Sequence, residues 1–335
     1  MFDYAIDLGG AYTTIYARKS GFVLKEPTMV AVEEIKGSYK IKAVGKEAKN
    51  LVWKTPESVE VFNPISNGVI ENYEYAQLML KYFLEKINFK KNRSSAIVLV
   101  HCGISKEEKS LYRRLFEDVG FLDIEFLPSI LCSAYGAGKN ISSAKASIVV
   151  NMGGSVTDVA AINLNSLMQG VTLGIGGRLM DIEIANHIAL SKKDGNGVLV
   201  GLPTAEKIKN EVGSLYKNDS LNMEVMGTDL KTKAPTSRVV SSAEIKPVIE
   251  AFLEEILRTI EVTITSLPPE VTADIINNNI IFTGGLANIA GLEEFLKKNL
   301  SYPYVIAENP EDVTILGAGK LLQDPELLEI TLKNN

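Results

Sequence analysis

Apolar positions along the chain fall into two periodicities. Ala96-Ile97-Val98-Leu99-Val100, Ser147-Ile148-Val149-Val150 and Ile280-Ile281-Phe282-Thr283 are short runs rich in β-branched residues, and they predict buried strands. Tyr75 through Leu84 and Ala243 through Leu257 instead place apolar residues three and four apart, which predicts helices. Thr204 to Glu211 predicts a more charged helix. The stretch from Ser214 to Ser242 is polar and the least periodic, and it predicts a surface connection inside an inserted subdomain. A smaller insertion is expected over about Val30 to Asn63. Strands interleaved with helices indicate an α/β layer architecture.

The pattern also repeats. Ala5-Ile6-Asp7-Leu8-Gly9-Gly10-Ala11-Tyr12-Thr13-Thr14-Ile15 and Val150-Asn151-Met152-Gly153-Gly154-Ser155-Val156-Thr157-Asp158-Val159 share one plan: apolar strand, small polar residue, Gly-Gly turn, hydroxyls, apolar residues. Tyr135-Gly136-Ala137-Gly138-Lys139 and Leu316-Gly317-Ala318-Gly319-Lys320 form a second pair, each where its half of the chain would end. Both pairs occur in matching order, which is economically read as two related halves.

Composition narrows the class. The 335 residues give room for about two domains. Lys and Arg number 35 against 41 Asp and Glu, a net charge of -6, so no polybasic footprint for nucleic acid is present. No apolar run is long enough to span a bilayer, and the first residues enter a strand-like run directly, which leaves no room for a signal peptide. Cys102 and Cys132 lack metal-ligand spacing and suit a reducing cytoplasm.

The candidate chemistry lies in the glycine loops. Glycines after a strand permit a tight turn whose N–H groups converge on an anion, and Asp7 beside the turn suits hydrated Mg²⁺. Two such loops facing each other would grip one polyphosphate; taken singly, each is equally an ordinary β-hairpin. A P-loop is excluded, because Gly138-Lys139 has Ser133 and Asn140 at the required Gly and Ser/Thr positions, and Gly319-Lys320 has Thr314 and Leu321 there. Gly174-Ile175-Gly176-Gly177-Arg178-Leu179 lacks the last glycine of a dinucleotide fingerprint. His101 and His187 lie near apolar stretches and are expected in the core. A third loop, Thr283-Gly284-Gly285-Leu286, would let a flat base lie against backbone. Glu206 and Lys209, three residues apart on one helix face, suit ribose hydroxyls and base, or else simply solvent.

From Asp3 to about Leu322 the sequence resembles the MreB branch of the actin superfamily, the bacterial actin homologues. Besides the phosphate loops, the likeness includes Leu24 to Thr28, Pro64 with Gly68-Val69-Ile70, Leu80 to Phe83, Ile175-Gly176-Gly177 with Met180-Asp181, Gly201 with Thr204-Ala205-Glu206, and Thr283-Gly284-Gly285. The resemblance implies two ribonuclease-H-like halves around a nucleotide cleft, in four subdomains. These would be IA (1–29, 64–143 and 321–335), IB (30–63), IIA (144–181 and 260–320) and IIB (182–259). It implies ATP and Mg²⁺ as cofactors, with Gly9, Gly10, Ala11, Tyr12 and Thr13 facing Gly153, Gly154, Ser155 and Thr157 across the phosphates. Asp7 and Asn151 would act on Mg²⁺ through waters. Glu206 and Lys209 would hold the ribose and adenine side, with Gly284, Gly285 and Leu286 beneath the nucleoside. It further implies filaments of the protein with itself and with paralogous actin-like proteins, often as antiparallel double protofilaments, in the cytoplasm at the inner face of the membrane. A sugar kinase or chaperone-type ATPase shares this core and is the alternative; the chain length favours the filament former.

Two positions depart from the family pattern. The second phosphate loop opens with Asn151 where Asp is usual, and the water-positioning Glu falls on Ser129. Serine is too short for that role, so the expectation is competent ATP binding with slow or absent hydrolysis. Asp158 or Thr157 taking over is the alternative. Such a divergent copy resembles the MreB sets of wall-less bacteria. Ile87 to Arg93 follows a helix end, and in this family an apolar loop there attaches to membranes. Phe89 would enter the interface with Lys90 and Lys91 on anionic headgroups; a capped helix end with solvated lysines is the other reading.

Overall fold

The computed structural model describes residues 1–35, 38–56, 58–191 and 197–335. Two five-stranded sheets form its centre and share one topology. In the first, Tyr4–Leu8, Tyr12–Ala17 and Gly21–Pro27 run as an antiparallel meander, and Ser94–Val100 then Phe121–Pro128 add in parallel beyond Tyr4–Leu8. In the second, Ser147–Met152, Thr157–Asn163 and Ser166–Leu173 form the meander, with Ile280–Thr283 and Tyr304–Ile306 added in parallel. The duplication read from the glycine loops is therefore a duplication of whole sheets. This is the actin-like α/β fold expected from the sequence.

The second glycine pair explains how the halves join. Helices Ser129–Gly136 and Val313–Gln323 pack against each other between the two sheets. They cross at glycines: a Cβ on Gly136 would overlap the Val313 carbonyl, and one on Gly317 would overlap the Cys132 carbonyl. Around this crossing lies a core drawn from both sheets, including Ala5, Ile97, Leu99, Val149, Ala160 and Ile281, with Ile130, Leu131, Ile315 and Leu321 from the helices. Each half has its own further core on the outer face of its sheet.

The insertions are folded units. Ser38–Val44, Val30–Ile35 and Val59–Phe62 make a three-stranded sheet over a small core of Ala31, Ala43, Ala48 and Val59. The polar stretch from Ser214 to Ser242, expected to be a connection, instead carries two strands, Asn222–Asp229 and Pro235–Ser241, paired to each other and to Val198–Leu199. Its period of two was obscured because one inward position is charged. Arg238 is 5% exposed, pairs with Glu244, and donates to the Ile188 carbonyl at 3.0 Å and Ser191 Oγ at 2.9 Å. The helix predicted to end near Leu257 continues to Thr265, because Ile260 and Ile264 extend the same apolar stripe.

Phe89, expected at a membrane interface, is partly buried: its ring lies 4.5 Å from Phe121, tilted to it, and 6.0 Å from Tyr4, against the core of the first half. Lys90 and Lys91 remain exposed beside it. Among the described residues, no helix is long and apolar enough to cross a membrane.

The crossing yields a stability prediction. Gly317→Ala should cost about 2 kcal/mol or more, because a backbone carbonyl cannot move aside for the added methyl. Gly174→Ala, with nothing within 4 Å of its added Cβ, should be near neutral. Urea unfolding of both variants checks this, and equal midpoints would show that the helices do not meet this closely.

Candidate functional site

The two Gly-Gly loops are β-hairpin turns, and they meet. Leu8 pairs with Thr13 at the base of the first, and Met152 with Thr157 at the base of the second. At the tips, a Cβ on Gly10 would overlap Ser155 Oγ and one on Gly154 would overlap the Ala11 side chain, so glycine is the residue that fits at both. The first loop has its carbonyls tied back. Gly9 O accepts from Thr28 Oγ1 at 2.6 Å, Gly10 O from Asn63 Nδ2 at 2.6 Å, and Ala11 O from the Thr28 N–H at 3.0 Å. Gly153 O and Gly154 O are likewise taken by the N–H groups of Gly177, at 3.1 Å, and Arg178, at 2.8 Å. A trans peptide points its N–H opposite its carbonyl. The N–H groups that follow these carbonyls are thereby the part of each loop left to face an anion.

A cavity of about 530 Å³ lies between the halves, a size suited to a small-molecule ligand. It is lined by Asp7, Gly9, Gly10, Ala11 and Tyr12 from the first hairpin and by Asn151, Gly153, Gly154, Ser155 and Asp158 from the second. Glu206 and Lys209 reach it from the helix Leu202–Glu211, and Gly284, Gly285 and Leu286 close its floor. Gly284 has φ +87° and abuts the Met152 backbone, which requires glycine, while a Cβ on Gly285 would meet only Glu311 Cβ, at 3.9 Å. Two expected residues are not at the cavity. Thr13 is fully buried against the Thr28 hydroxyl at 2.9 Å, and Thr157 is buried with its hydroxyl donating to the Ile175 carbonyl at 2.9 Å. Strand alternation turns both toward the sheet core.

Ser129 also lines the cavity, at the start of its helix, and its Oγ lies 3.5 Å from Asp158 Oδ2. Asp158 further accepts from Thr172 Oγ1 at 2.5 Å and from the Cys102 N–H at 3.3 Å. These contacts stitch the two halves together, because Cys102 follows a strand of the first sheet and Thr172 lies in the second. His101, expected in the core, lines the cavity instead, with Nδ1 3.3 Å from Thr172 Oγ1. His187 is partly buried on the helix Gly177–Leu190. Asp181, Arg178, Lys25 and Glu311 also line the cavity; Asp181 and Lys25 lie in stretches of the family likeness, but the sequence assigns none of the four a role.

The charges of the site are crowded. Five carboxylates, Asp7, Asp158, Asp181, Glu206 and Glu311, line it against the cations Lys25, Arg178 and Lys209. Burial first, and then the nearby charge of Asp158, push the Asp7 carboxyl up to about 7. Burial also raises Asp158, against the hydrogen bonds from Thr172 and Cys102. Asp181 is lifted by burial to about 6 although Lys209 lies at 2.7 Å. Glu206 is paired with Lys49 of the first insertion at 2.8 Å, across the mouth of the cleft.

The Asp7 shift has a definite sign. Its folded pKa of about 7 lies above the ordinary 3.8, so the folded state holds a proton that the unfolded chain has released between those values. The metal- and nucleotide-free protein should lose up to about 4 kcal/mol of stability as pH rises from 4 to 7. Asp7→Asn should flatten that slope. Thermal unfolding across this range checks it, and parallel curves for the two proteins would exclude the effect.

Comparison with known proteins agrees with this geometry. The family model for MreB/Mbl protein matches residues 1–330. The cell shape-determining protein MreB of Escherichia coli K12 is 33% identical over 327 residues, covering 96% of this chain and 93% of its own. The crystal structure of MreB5 of Spiroplasma citri bound to AMPPNP superposes with a TM-score of 0.89 at 26% identity, over 98% of this chain and 97% of that one. The MamK double helical filament, at 20% identity and a TM-score of 0.76 over 95% and 97% of the two chains, shares the fold. The chain belongs to the MreB/Mbl family of cell shape-determining, actin-like proteins.

Proposed function

We propose that this protein binds ATP with Mg²⁺ in the cleft, assembles into filaments with itself, and hydrolyses the nucleotide slowly or not at all. The observation that carries nucleotide binding is the contact between the two hairpin tips at Gly10–Ser155 and Ala11–Gly154. It aims both sets of loop amides into a cavity that Glu206, Lys209, Gly284 and Gly285 also line. The AMPPNP complex of the MreB5 relative supports the same reading.

The residues present fit Mg²⁺. Asp7 and Asp158 are two carboxylates confined together, and a dication relieves their repulsion. Asp7 is a hard oxygen donor, and Asn151 offers an amide oxygen that already accepts from Thr283 Oγ1 at 3.3 Å. When bound, Mg²⁺ would neutralise phosphate charge in this acidic cleft.

Slow hydrolysis follows from what surrounds Ser129. Its hydroxyl is short, and both candidate replacements are engaged elsewhere. Thr157 donates to Ile175, and Asp158 accepts from three donors. Those bonds hold the Asp158 carboxylate to Thr172, Cys102 and Ser129, so it is not free to swing toward an attacking water. Loss of a positioned acid–base group costs about 10²–10⁴ in rate. Long-lived filaments are the consequence, because hydrolysis times disassembly in this superfamily. The division into subdomains IA, IB, IIA and IIB, with paralogous partners in mixed filaments, belongs to the same proposal. At a membrane, the exposed Lys90 and Lys91 would supply an electrostatic contact of about 1 kcal/mol each.

Electron microscopy with ATP and Mg²⁺ should show protofilaments; a small-molecule kinase or chaperone-type ATPase would show none. Phosphate release should be slow and should rise about tenfold or more in Ser129→Glu/Asn151→Asp. A wild-type rate equal to that of the variant would remove the hydrolysis part of the proposal. Neutralising Lys90 and Lys91 should reduce pelleting with anionic vesicles, and unchanged pelleting would remove the membrane contact.

A further inference from the structure

Of the three cations that line the cavity, two are already neutralised. Lys25 is paired with Glu311 and with Asp312, the latter at 2.7 Å, and Lys209 with Asp181 at 2.7 Å. The third, Arg178, forms no ion pair among the described residues, and its Nη1 is buried without a hydrogen-bond partner. A buried guanidinium donor left unmatched is costly. Burial pulls the Arg178 pKa below the usual arginine value, while Glu71, Asp181 and Glu206 oppose that shift through space. Two of those carboxylates have lysines of their own, Lys209 on Asp181 and Lys49 on Glu206.

The placement of Arg178 is fixed by backbone. It is the second residue of the helix Gly177–Leu190, and its N–H donates to the Gly154 carbonyl at the tip of the second hairpin. Its side chain therefore starts beside the loop that would hold the phosphates. Arg178 and the first hairpin's Gly9, Gly10 and Ala11 line one cavity, which places it where both halves converge. A planar guanidinium fork there suits an anion with several oxygens, and the most highly charged such group on a nucleotide is the terminal phosphate.

We propose that Arg178 is a specificity-determining residue of the nucleotide site. Its guanidinium binds the terminal phosphate of a triphosphate and so makes the cleft favour triphosphate over diphosphate. This rests on the reading of the cleft as a nucleotide site. It also gives that site a means of sensing the terminal phosphate that is independent of Ser129. Charge-assisted bonds to phosphate are strong when desolvated, so their loss falls on the ligand that makes them.

The test is the dissociation constant of Mg²⁺-AMPPNP and of Mg²⁺-ADP, by competition against a fluorescent nucleotide, for wild type, Arg178→Gln and Arg178→Lys. Arg178→Gln should weaken AMPPNP about tenfold or more and ADP about twofold at most. Arg178→Lys, which keeps the charge and loses the fork, should fall between and serves if the glutamine variant does not fold. Equal losses for both nucleotides, or none, would overturn the role of Arg178 while leaving nucleotide binding intact. A wild type that binds neither nucleotide would overturn both proposals.

Discussion

Contact between the tips of the two hairpins is the constraint on which the site depends. Gly10 against Ser155 and Gly154 against Ala11 leave no space for a larger residue, so the two halves approach until their backbones touch. That approach is possible because the helices behind the tips also cross at glycines, Gly136 and Gly317. Close packing at the rear and close packing at the tips are thus two ends of one arrangement. Backbone that comes so near a ligand position offers N–H groups without the conformational cost of a flexible side chain. Tying the carbonyls back to Thr28, Asn63, Gly177 and Arg178 orients those groups in advance.

Electrostatics set the second condition. Among the described residues the cleft is lined by more carboxylates than lysines and arginines, so its walls disfavour a bare polyphosphate. The acids are not equivalent. Asp158 is held by donors from both halves and behaves as a structural acceptor, whereas Asp7 carries the burden of burial and of its neighbour's charge. In the register of the hairpins Asp7 lies opposite Thr14, and Asn151 lies opposite Asp158. The two turns therefore place their carboxylates on opposite strands, and the symmetry of the backbone is broken at Asp7 and Asp158.

Much of the fold was legible because its signals are local. The strands Ser94–Val100, Ser147–Met152 and Ile280–Thr283, the Gly-Gly turns and the helix carrying Glu206 and Lys209 each follow from residues near one another in the chain. Where the expectation failed, a distant partner had altered the local pattern. Arg238 sits on the inward face of its strand because Glu244, Ile188 and Ser191 satisfy it, and it hid the alternation of that hairpin. Phe89 looked like an exposed apolar loop residue, and Tyr4 and Phe121 cover part of it. His101 sits in an apolar neighbourhood along the chain but faces the cleft, where Thr172 of the other half meets it.

By itself the sequence determined the duplicated α/β plan and its two Gly-Gly turns, since glycine, hydrophobic period and residue type are properties of short segments. Tertiary structure alone decided which charges meet. Lys49 with Glu206, Lys209 with Asp181, and Arg178 without an ion pair among the described residues, depend on elements brought together from different parts of the chain. Charge pairing is decided by distance and burial in space, and neither quantity is written in the order of residues.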